Sequence, residues 1–526
     1  MHTERELAAI CLALSGPEAT LTASEKELLQ TLQVTAANAG DVTAFEQRIK
    51  TGADPLGDAF TRIRSAKDRR GAGAVYTPTA IVKSMTHWLS QQANPFRVVD
   101  PGSGSGRFIL AAGLAFPKAQ LIAVELDPLA ALMLRANLQV LGWTHRAKVL
   151  VQDYRTIALE PCPGQTVFVG NPPYVRHHDI SAEWKAWYAR CFAGFGIKAS
   201  ALAGLHMHFF LQTRLLAQPG DVGAFITSSE WMDVNYGSAL RQLLLQELGG
   251  MALHVLEPTV EAFPGTATTA TITCFRVGES VEPFKVRSVN KLEDLNGLTK
   301  GLSVDRESLR TSPRWSIIVR PSEHDTQSGM ELGELFRVHR GQVTGANDIW
   351  IAGEQAWHLP DVVKVPAVTK AKDLIQAGAQ LDSSDSLRRV IDIPAELDGF
   401  EAPEKRHIEA FLRWAQTQGA HESYTARHRK SWWSVGLKAP APILCTYMAR
   451  RPPQFTLNTC DARHINIAHG LYPRGALSPE MMSALVAWLN QHIVVSSGRT
   501  YAGGLTKFEP KEIERLRIPH LNGLLA

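Results

Sequence analysis

At 526 residues, with 45% hydrophobic and 20% charged side chains and a formal charge of +4, the chain is too long for one ordinary core and too apolar for disorder. Two or three globular domains are expected. The six cysteines, Cys11, Cys162, Cys191, Cys274, Cys445 and Cys460, are scattered with no CxxC pair, which argues against a disulfide framework or zinc site and fits a reducing cytosol. No apolar stretch approaches membrane-spanning length, and Met1-His2-Thr3-Glu4-Arg5-Glu6 lacks the basic and apolar regions of a signal peptide. A cytoplasmic protein without a membrane role is expected.

Residues 1–70 read as a small helical unit, because Thr3-x-x-Glu6 and Thr22-x-x-Glu25 are capping-box patterns followed by periodic leucines and alanines. No chemistry is apparent there, and the spaced Asp and Glu-x-Lys of a metal-dependent nuclease cannot be assembled. After Gly71-Ala72-Gly73 comes Tyr76-Thr77-Pro78, where Thr77 is expected to cap a helix that starts at Pro78 and carries Ile81, Met85, Trp88 and Leu89 on its apolar face.

Arg97-Val98-Val99-Asp100 then reads as a strand entering the turn Gly102-Ser103-Gly104-Ser105-Gly106, through which backbone N–H groups can approach a ligand closely. The next strand ends in Glu125, 25 residues after Asp100, where doubly wound folds place a carboxylate for ribose hydroxyls. A third strand ends at Asp153-Tyr154. A fourth, Val167-Phe168-Val169-Gly170, ends at Asn171-Pro172-Pro173-Tyr174. The prolines cannot join a ladder, so the strand must stop. It then presents a side-chain amide, a fixed carbonyl and an exposed ring: two acceptors and a stacking face for a planar base with an exocyclic amine.

Further strands are expected at Gly223–Thr227, Ala252–Leu256 and Thr269–Val277, with Phe263-Pro264-Gly265 in the loop between the last two. Residues 280–330 lose clear periodicity and read as a connector. Beyond residue 331 the pattern is short strands and loops, and from His421 to His464 seven Lys/Arg face two acids, a local basic surface. Pro161-Cys162, a dipeptide in which cytosine ring-carbon methyltransferases carry their nucleophile, precedes the fourth strand and reads as a turn. His206 and His208 on an apolar helix read as packed histidines, not metal ligands.

In this order, Tyr-Thr-Pro, glycine turn, acids, Asn-Pro-Pro-Tyr and basic module, the motifs resemble those of the gamma-type adenine-specific (N6) DNA methyltransferases of bacterial restriction-modification systems, the Eco57I- and TaqI-like methylases. The resemblance implies an α/β protein: a Rossmann-like S-adenosylmethionine-dependent methyltransferase domain (71–280) with a mostly parallel seven-stranded sheet, after the helical region (1–70). A connector (281–330) and a mixed α/β target-recognition domain (331–526) follow. It implies that Tyr76, Thr77, Asp100, Gly102 and Gly104 meet the cofactor's methionine end, Glu125 its ribose, and Leu126, Asp153 and Tyr154 its adenine. Asn171, Pro172, Pro173, Tyr174 and Phe263 would hold the target base. Arg176, Arg340, Arg427, Arg429, Lys430, Trp432, Trp433 and Lys507 would meet DNA. No metal is implied. Double-stranded DNA and a separate cognate endonuclease are the implied partners of a monomer. Three alternatives stay open: another planar-amine substrate such as ribosomal-RNA guanine or protein glutamine, a bifunctional methylase-nuclease, and an inactive DNA-binding protein.

Overall fold

The computed structural model describes residues 3–17, 19–64, 76–257, 260, 270–278, 283–319, 329–449, 451–493, 499–501 and 505–519. The chain divides into two compact units, one up to residue 320 and one from residue 321. Phe263 lies outside the described residues.

The first unit begins with helices Glu4–Ser15, Ala23–Thr31, Ala39–Lys50 and Pro55–Ile63. Thr3 and Thr22 cap as their patterns predict, and Thr22 with Glu25 completes a capping box. Leu7, Ala8, Cys11 and Phe60 are buried with Leu129, Leu132, Met133 and Ala136, so the apolar stripe of helix Pro128–Val140 is covered by these amino-terminal helices. Glu25, fully buried, pairs with Arg135 at 2.7 Å across that contact.

The central sheet contains β1 (Arg97–Pro101), β2 (Gln120–Glu125), β3 (Ala147–Val151), β4 (Thr166–Gly170), β5 (Val222–Ser228), β6 (Gly250–Leu256), β7 (Ala270–Arg276), β8 (Phe284–Val289) and β9 (Leu302–Val304), in spatial order β3-β2-β1-β4-β5-β7-β6-β8-β9. β1 to β5 are mutually parallel, and β7 inserts antiparallel between β5 and β6. Strand alternation sends Val98, Val167 and Val169 to one face, under helices Thr79–Gln92 and Arg107–Ala115. Val99, Phe168 and Phe225 go to the other, under helix Leu205–Leu216.

Two expectations are corrected. Among the described residues the sheet has nine strands where seven are expected, because residues read as a connector supply β8, parallel to β6, and β9 beside it. Phe284-Lys285-Val286-Arg287 alternates apolar and basic, the period-2 signal of a half-covered strand. Thr77 does not cap the next helix: Pro78 occupies the cap position, and the Thr77 hydroxyl accepts from Asn171 instead.

In the second unit a five-stranded sheet runs in the order Phe336–Arg340, Ala468–Pro473, Ile443–Thr446, Phe455–Asn458 and Gln380–Leu381. Helix Pro479–His492 buries Leu485, Val486 and Leu489 with Ile443, Cys445 and Phe455 from this sheet. A three-stranded sheet (Arg389–Ile391, Lys364–Val368, Arg463–His464) shares a second core with helix Ala402–Thr417. Among the described residues, no helix is long and apolar enough to cross a membrane.

Burial holds several imidazoles neutral. It lowers His206 to about 4, His208 to about 3 and His254 to about 3 in the first unit, and His464 and His469 to about 4 in the second. The unfolded chain takes up these protons below about pH 6.5, so stability is complete above that pH and is lost as pH falls toward 4. His254 donates from Nε2 to Leu298 O (2.9 Å) and accepts at Nδ1 from Arg287 (2.8 Å), a pairing that a glutamine side chain can imitate without titrating. Unfolding free energies from urea titrations between pH 7 and 4.5 are expected to fall less steeply in His254→Gln, by up to about 1.4 kcal/mol per pH unit. Parallel curves for the two proteins would show that this histidine is not held neutral.

Candidate active site

Strand order reverses between β1 and β4, and the candidate site forms where their carboxyl ends meet. The glycine turn after β1 holds Gly102, Gly104 and Gly106 at φ of +75°, +57° and +100°, a region that side-chain-bearing residues rarely adopt. The turn is tied down from β2. Gly104 N donates to Glu125 Oε2 (2.7 Å), while Oε1 accepts from Leu126 N and Asp127 N (both 2.8 Å). Burial raises the Glu125 carboxyl, and these backbone donors oppose the shift. Leu126, beside it, is 66% exposed, an apolar side chain available to a ligand.

Asp100 is fully buried at the end of β1. Its Oδ2 accepts from Ile109 N (3.0 Å), its Oδ1 has no partner among the described residues, and burial pushes the carboxyl well above the usual range. A buried carboxylate oxygen left unmatched is costly. A cationic ligand group would satisfy it.

β4 brings Asn171-Pro172-Pro173 against this turn. A methyl group on Gly170 would stand 2.8 Å from Asp100 Oδ1, and one on Gly102 would stand 3.4 Å from Pro173 Cδ, so the two strand ends are in direct contact. Asn171 Nδ2 donates to Thr77 Oγ1 (3.0 Å), which orients the amide. Tyr76 is set by Phe60 (ring centroids 5.9 Å) and by the Arg107 guanidinium, 5.0 Å from its ring. Burial, with Asp54 and Glu125 nearby, raises its hydroxyl pKa. Tyr76, Thr77, Asp100, Gly102, Gly104, Glu125, Asn171, Pro172 and Pro173 thus converge on one sheet edge.

Some placements differ from expectation. Tyr174 is half-buried, with its hydroxyl inside and its ring edge-on to His206 (6.2 Å), where an exposed ring is expected. Tyr154 is 2% exposed, bonded to Thr213 Oγ1 (2.9 Å) and packed on Phe209 (5.0 Å), so its side chain belongs to the core and is not presented to a ligand. Asp153 pairs with Arg155 (2.6 Å), whose guanidinium lies 3.9 Å from the Trp184 ring centre. His208 stacks on Tyr188 (4.3 Å), as a packed histidine would. Phe209, 3.8 Å from a methyl group placed on Gly102, lines the turn, yet no motif marks it; only the periodicity of its helix shows that it faces inward.

In the second unit the expected DNA contacts separate into two kinds. Arg340 and Arg427 are exposed, as is Arg176 in the first unit. The Arg340 guanidinium lies 5.3 Å and Lys507 Nζ 5.8 Å from the Tyr447 ring centre, and Lys507 pairs with Glu509. Lys430 is exposed beside Glu396 (3.0 Å). Arg429 is different: it donates to Val343 O (2.6 Å) and Thr344 O (3.0 Å) and ties two loops together. Trp432 packs on Trp350 and Trp433, and Trp433 donates to Pro394 O (3.0 Å). All three are half-buried and make contacts within their own unit.

The family of Eco57I restriction-modification methylases matches residues 163–249, and that of the type II methyltransferase M.Eco57I carboxyl-terminal domain matches residues 322–525. The chain is 66% identical over 534 residues to the type II methyltransferase M.XamI of Xanthomonas campestris pv. amaranthicola, covering all of both chains. It belongs to the type II restriction-modification methyltransferases of the Eco57I kind. A release factor glutamine methyltransferase of Bordetella pertussis is 34% identical over 102 residues, 19% of this chain and 35% of that protein. Among solved structures, the type IIL restriction-modification enzyme MmeI in complex with DNA has a TM-score of 0.58 at 13% identity, over 98% of this chain and 79% of that one, which shows the shared fold.

The cofactor of this methyltransferase is S-adenosylmethionine. The unmatched Asp100 oxygen suits its ammonium group, and Glu125 with the adjoining apolar Leu126 suits its nucleoside. Asp100→Asn keeps an acceptor for Ile109 N and should fold. It is expected to weaken S-adenosylhomocysteine about tenfold or more by calorimetry, the value of a charged hydrogen bond. An unaltered Kd in the folded variant would place the cofactor elsewhere.

Proposed function

We propose that the chain transfers the methyl group of S-adenosylmethionine to the N6 amine of adenine in a specific site of double-stranded DNA, as the modification component of a type II restriction-modification system. The observation that carries this reading is the Asn171 amide, oriented by Thr77 at the switch point, beside the turn that Pro173 contacts. Adenine's amino nitrogen is conjugated with its ring and is a poor nucleophile. The Asn171 side-chain oxygen and the Pro172 carbonyl would accept its two N–H groups and aim its lone pair. Bound S-adenosylmethionine supplies an electrophilic methyl group on a sulfonium. No covalent enzyme intermediate is needed, because holding the amine at near-attack distance is the main catalytic lever.

An amine stacked inside a duplex is out of reach, so the base must swing out, and Tyr174 with Phe263 would replace part of its stacking. The protein-glutamine reading shares the same amide logic, but the likeness to that relative covers only 102 residues and leaves the whole carboxyl-terminal unit unexplained. Exposed Arg340 and Arg427 in that unit suit phosphates, and loops there would read base edges.

Asn171→Ala is expected to bind S-adenosylhomocysteine normally and to lose methylation by a factor on the order of a thousand or more, since the positioning group is gone. Nucleoside analysis of DNA from cells expressing the native chain should show N6-methyladenine; N4-methylcytosine alone, or labelled protein in place of labelled DNA, rejects the assignment. Salt dependence separates the two kinds of basic residue. If about six phosphates are neutralised, log affinity falls with log salt at a slope near −5, and Arg427→Ala should reduce that slope by about 1. Arg429→Ala should instead lower the melting temperature, because two loop carbonyls lose their donor. Equal slopes for Arg427→Ala and native protein would remove Arg427 from the interface.

A further inference from the structure

Residues 1–70 carry no motif, yet one side chain from them reaches the glycine turn. Asp54 caps helix Pro55–Ile63 through Oδ1, which accepts from Gly57 N (2.9 Å). Its Oδ2 points the other way and accepts from Ser105 Oγ (2.6 Å), inside the turn, and from Arg107 Nε (2.7 Å), just after it. Arg107 Nη1 donates in turn to Thr77 O (3.2 Å), and Thr77 Oγ1 accepts from Asn171 (3.0 Å). Hydrogen bonds therefore link the amino-terminal helices through Asp54, Arg107 and Thr77 to the candidate catalytic amide, with a branch from Asp54 to Ser105 in the glycine turn.

The fit is close. A methyl group on Gly57 would stand 2.1 Å from Asp54 Oδ2 and 2.7 Å from Ser105 Oγ, so the first turn of this helix sits directly on the loop. Phe60 from the same helix packs on Tyr76, and Arg107 covers that ring from a second side. The Asp54 side chain is 16% exposed and that of Arg107 21%, so water competes little for the pair. Arg107 Nη2 also meets Asp58 (2.9 Å), but that carboxylate is 52% exposed.

We propose that Asp54 is a positioning residue of the cofactor site: the amino-terminal helices complete that site by fixing the turn and the Tyr76–Thr77 segment in the shape that receives the methionine end of S-adenosylmethionine. The proposal needs the cofactor assignment and the placement of the methionine end, and it does not depend on which base or macromolecule is methylated.

Asp54→Asn is the informative change, because asparagine caps a helix as well as aspartate does. The retained oxygen can serve Gly57 N, but the amide NH₂ then faces the Arg107 Nε–H, a donor against a donor, and the Ser105 hydroxyl must turn from donor to acceptor. Calorimetry on the full chain is expected to show S-adenosylhomocysteine bound about tenfold more weakly, as for a lost charged hydrogen bond. 5′-Methylthioadenosine, which lacks the amino-acid end, should change less than about twofold, and Asp58→Asn should change neither ligand by more than that, as for an exposed pair. The melting temperature of ligand-free Asp54→Asn should stay near the native value. A native Kd for S-adenosylhomocysteine in the folded variant overturns the proposal, and so does equal weakening of both ligands together with a lowered melting temperature, which would make Asp54 merely structural. If Asp54→Asn does not fold, Ser105→Ala decides: a loss of threefold or more for S-adenosylhomocysteine supports the link, and an unchanged Kd refutes it.

Discussion

β1 and β4 lie side by side, and the helices that follow them cover opposite faces of the sheet: Arg107–Ala115 on one, Leu205–Leu216 on the other. In doubly wound sheets the place where such helices part, at the strands' carboxyl ends, is where ligands bind. What turns that place into a site is the contact between the strand tips. Gly170 lets the fourth strand approach Asp100, and Pro173 settles against Gly102. The glycine turn and the Asn171 amide are therefore held at the tips of adjacent strands of one sheet. Short loops anchored on neighbouring strands keep their groups in register more closely than free loops do, and the proposed transfer depends on such register.

Rigidity at that line has a polar cost that the chain meets with backbone groups. Glu125 takes three N–H donors, one from the glycine turn and two from the start of the next helix, so an acid in a buried place is compensated without a second charge. Asp100 receives one N–H on one oxygen and none on the other. The imbalance between these two acids is informative. The satisfied acid shapes the turn, whereas the unsatisfied one marks where a ligand's own polarity is required.

How much of this the sequence makes legible depends on how local each constraint is. The glycine turn, the acid after β2 and Asn-Pro-Pro-Tyr are readable because backbone requirements force particular residues at fixed spacing: positive φ needs glycine, and a strand stop is made by proline. Orientation is not local. Tyr154 reads as a ligand contact but turns into the core on Phe209 and Thr213, and Arg429 reads as a phosphate contact but binds two carbonyls more than 80 positions away. β8 and β9 are hidden for a related reason. The alternation of β8 is short and charged and β9 is three residues long, and each becomes a strand only through its partner, β8 through β6 and β9 through β8. Thr77 shows the same limit in miniature: a good cap by pattern, it is drawn to Asn171, 94 positions later.

The amino-terminal helices extend this point from single residues to a whole segment. By sequence they are capped, amphipathic and without chemistry, and their ion pairs, Arg64 with Glu4 and Asp127 and Glu25 with Arg135, suffice to explain docking on helix Pro128–Val140. If docking were their only task, the carboxylate of Asp54 could face solvent after capping its own helix. It instead turns its second oxygen toward Ser105 and Arg107, in a place where Gly57 must lack a side chain to make room. A residue that caps one helix and also braces the turn that opens another makes the two segments mechanically one. The shape of the glycine turn is then tied to where the amino-terminal helices sit, because one oxygen of this carboxylate caps the helix and the other holds the turn.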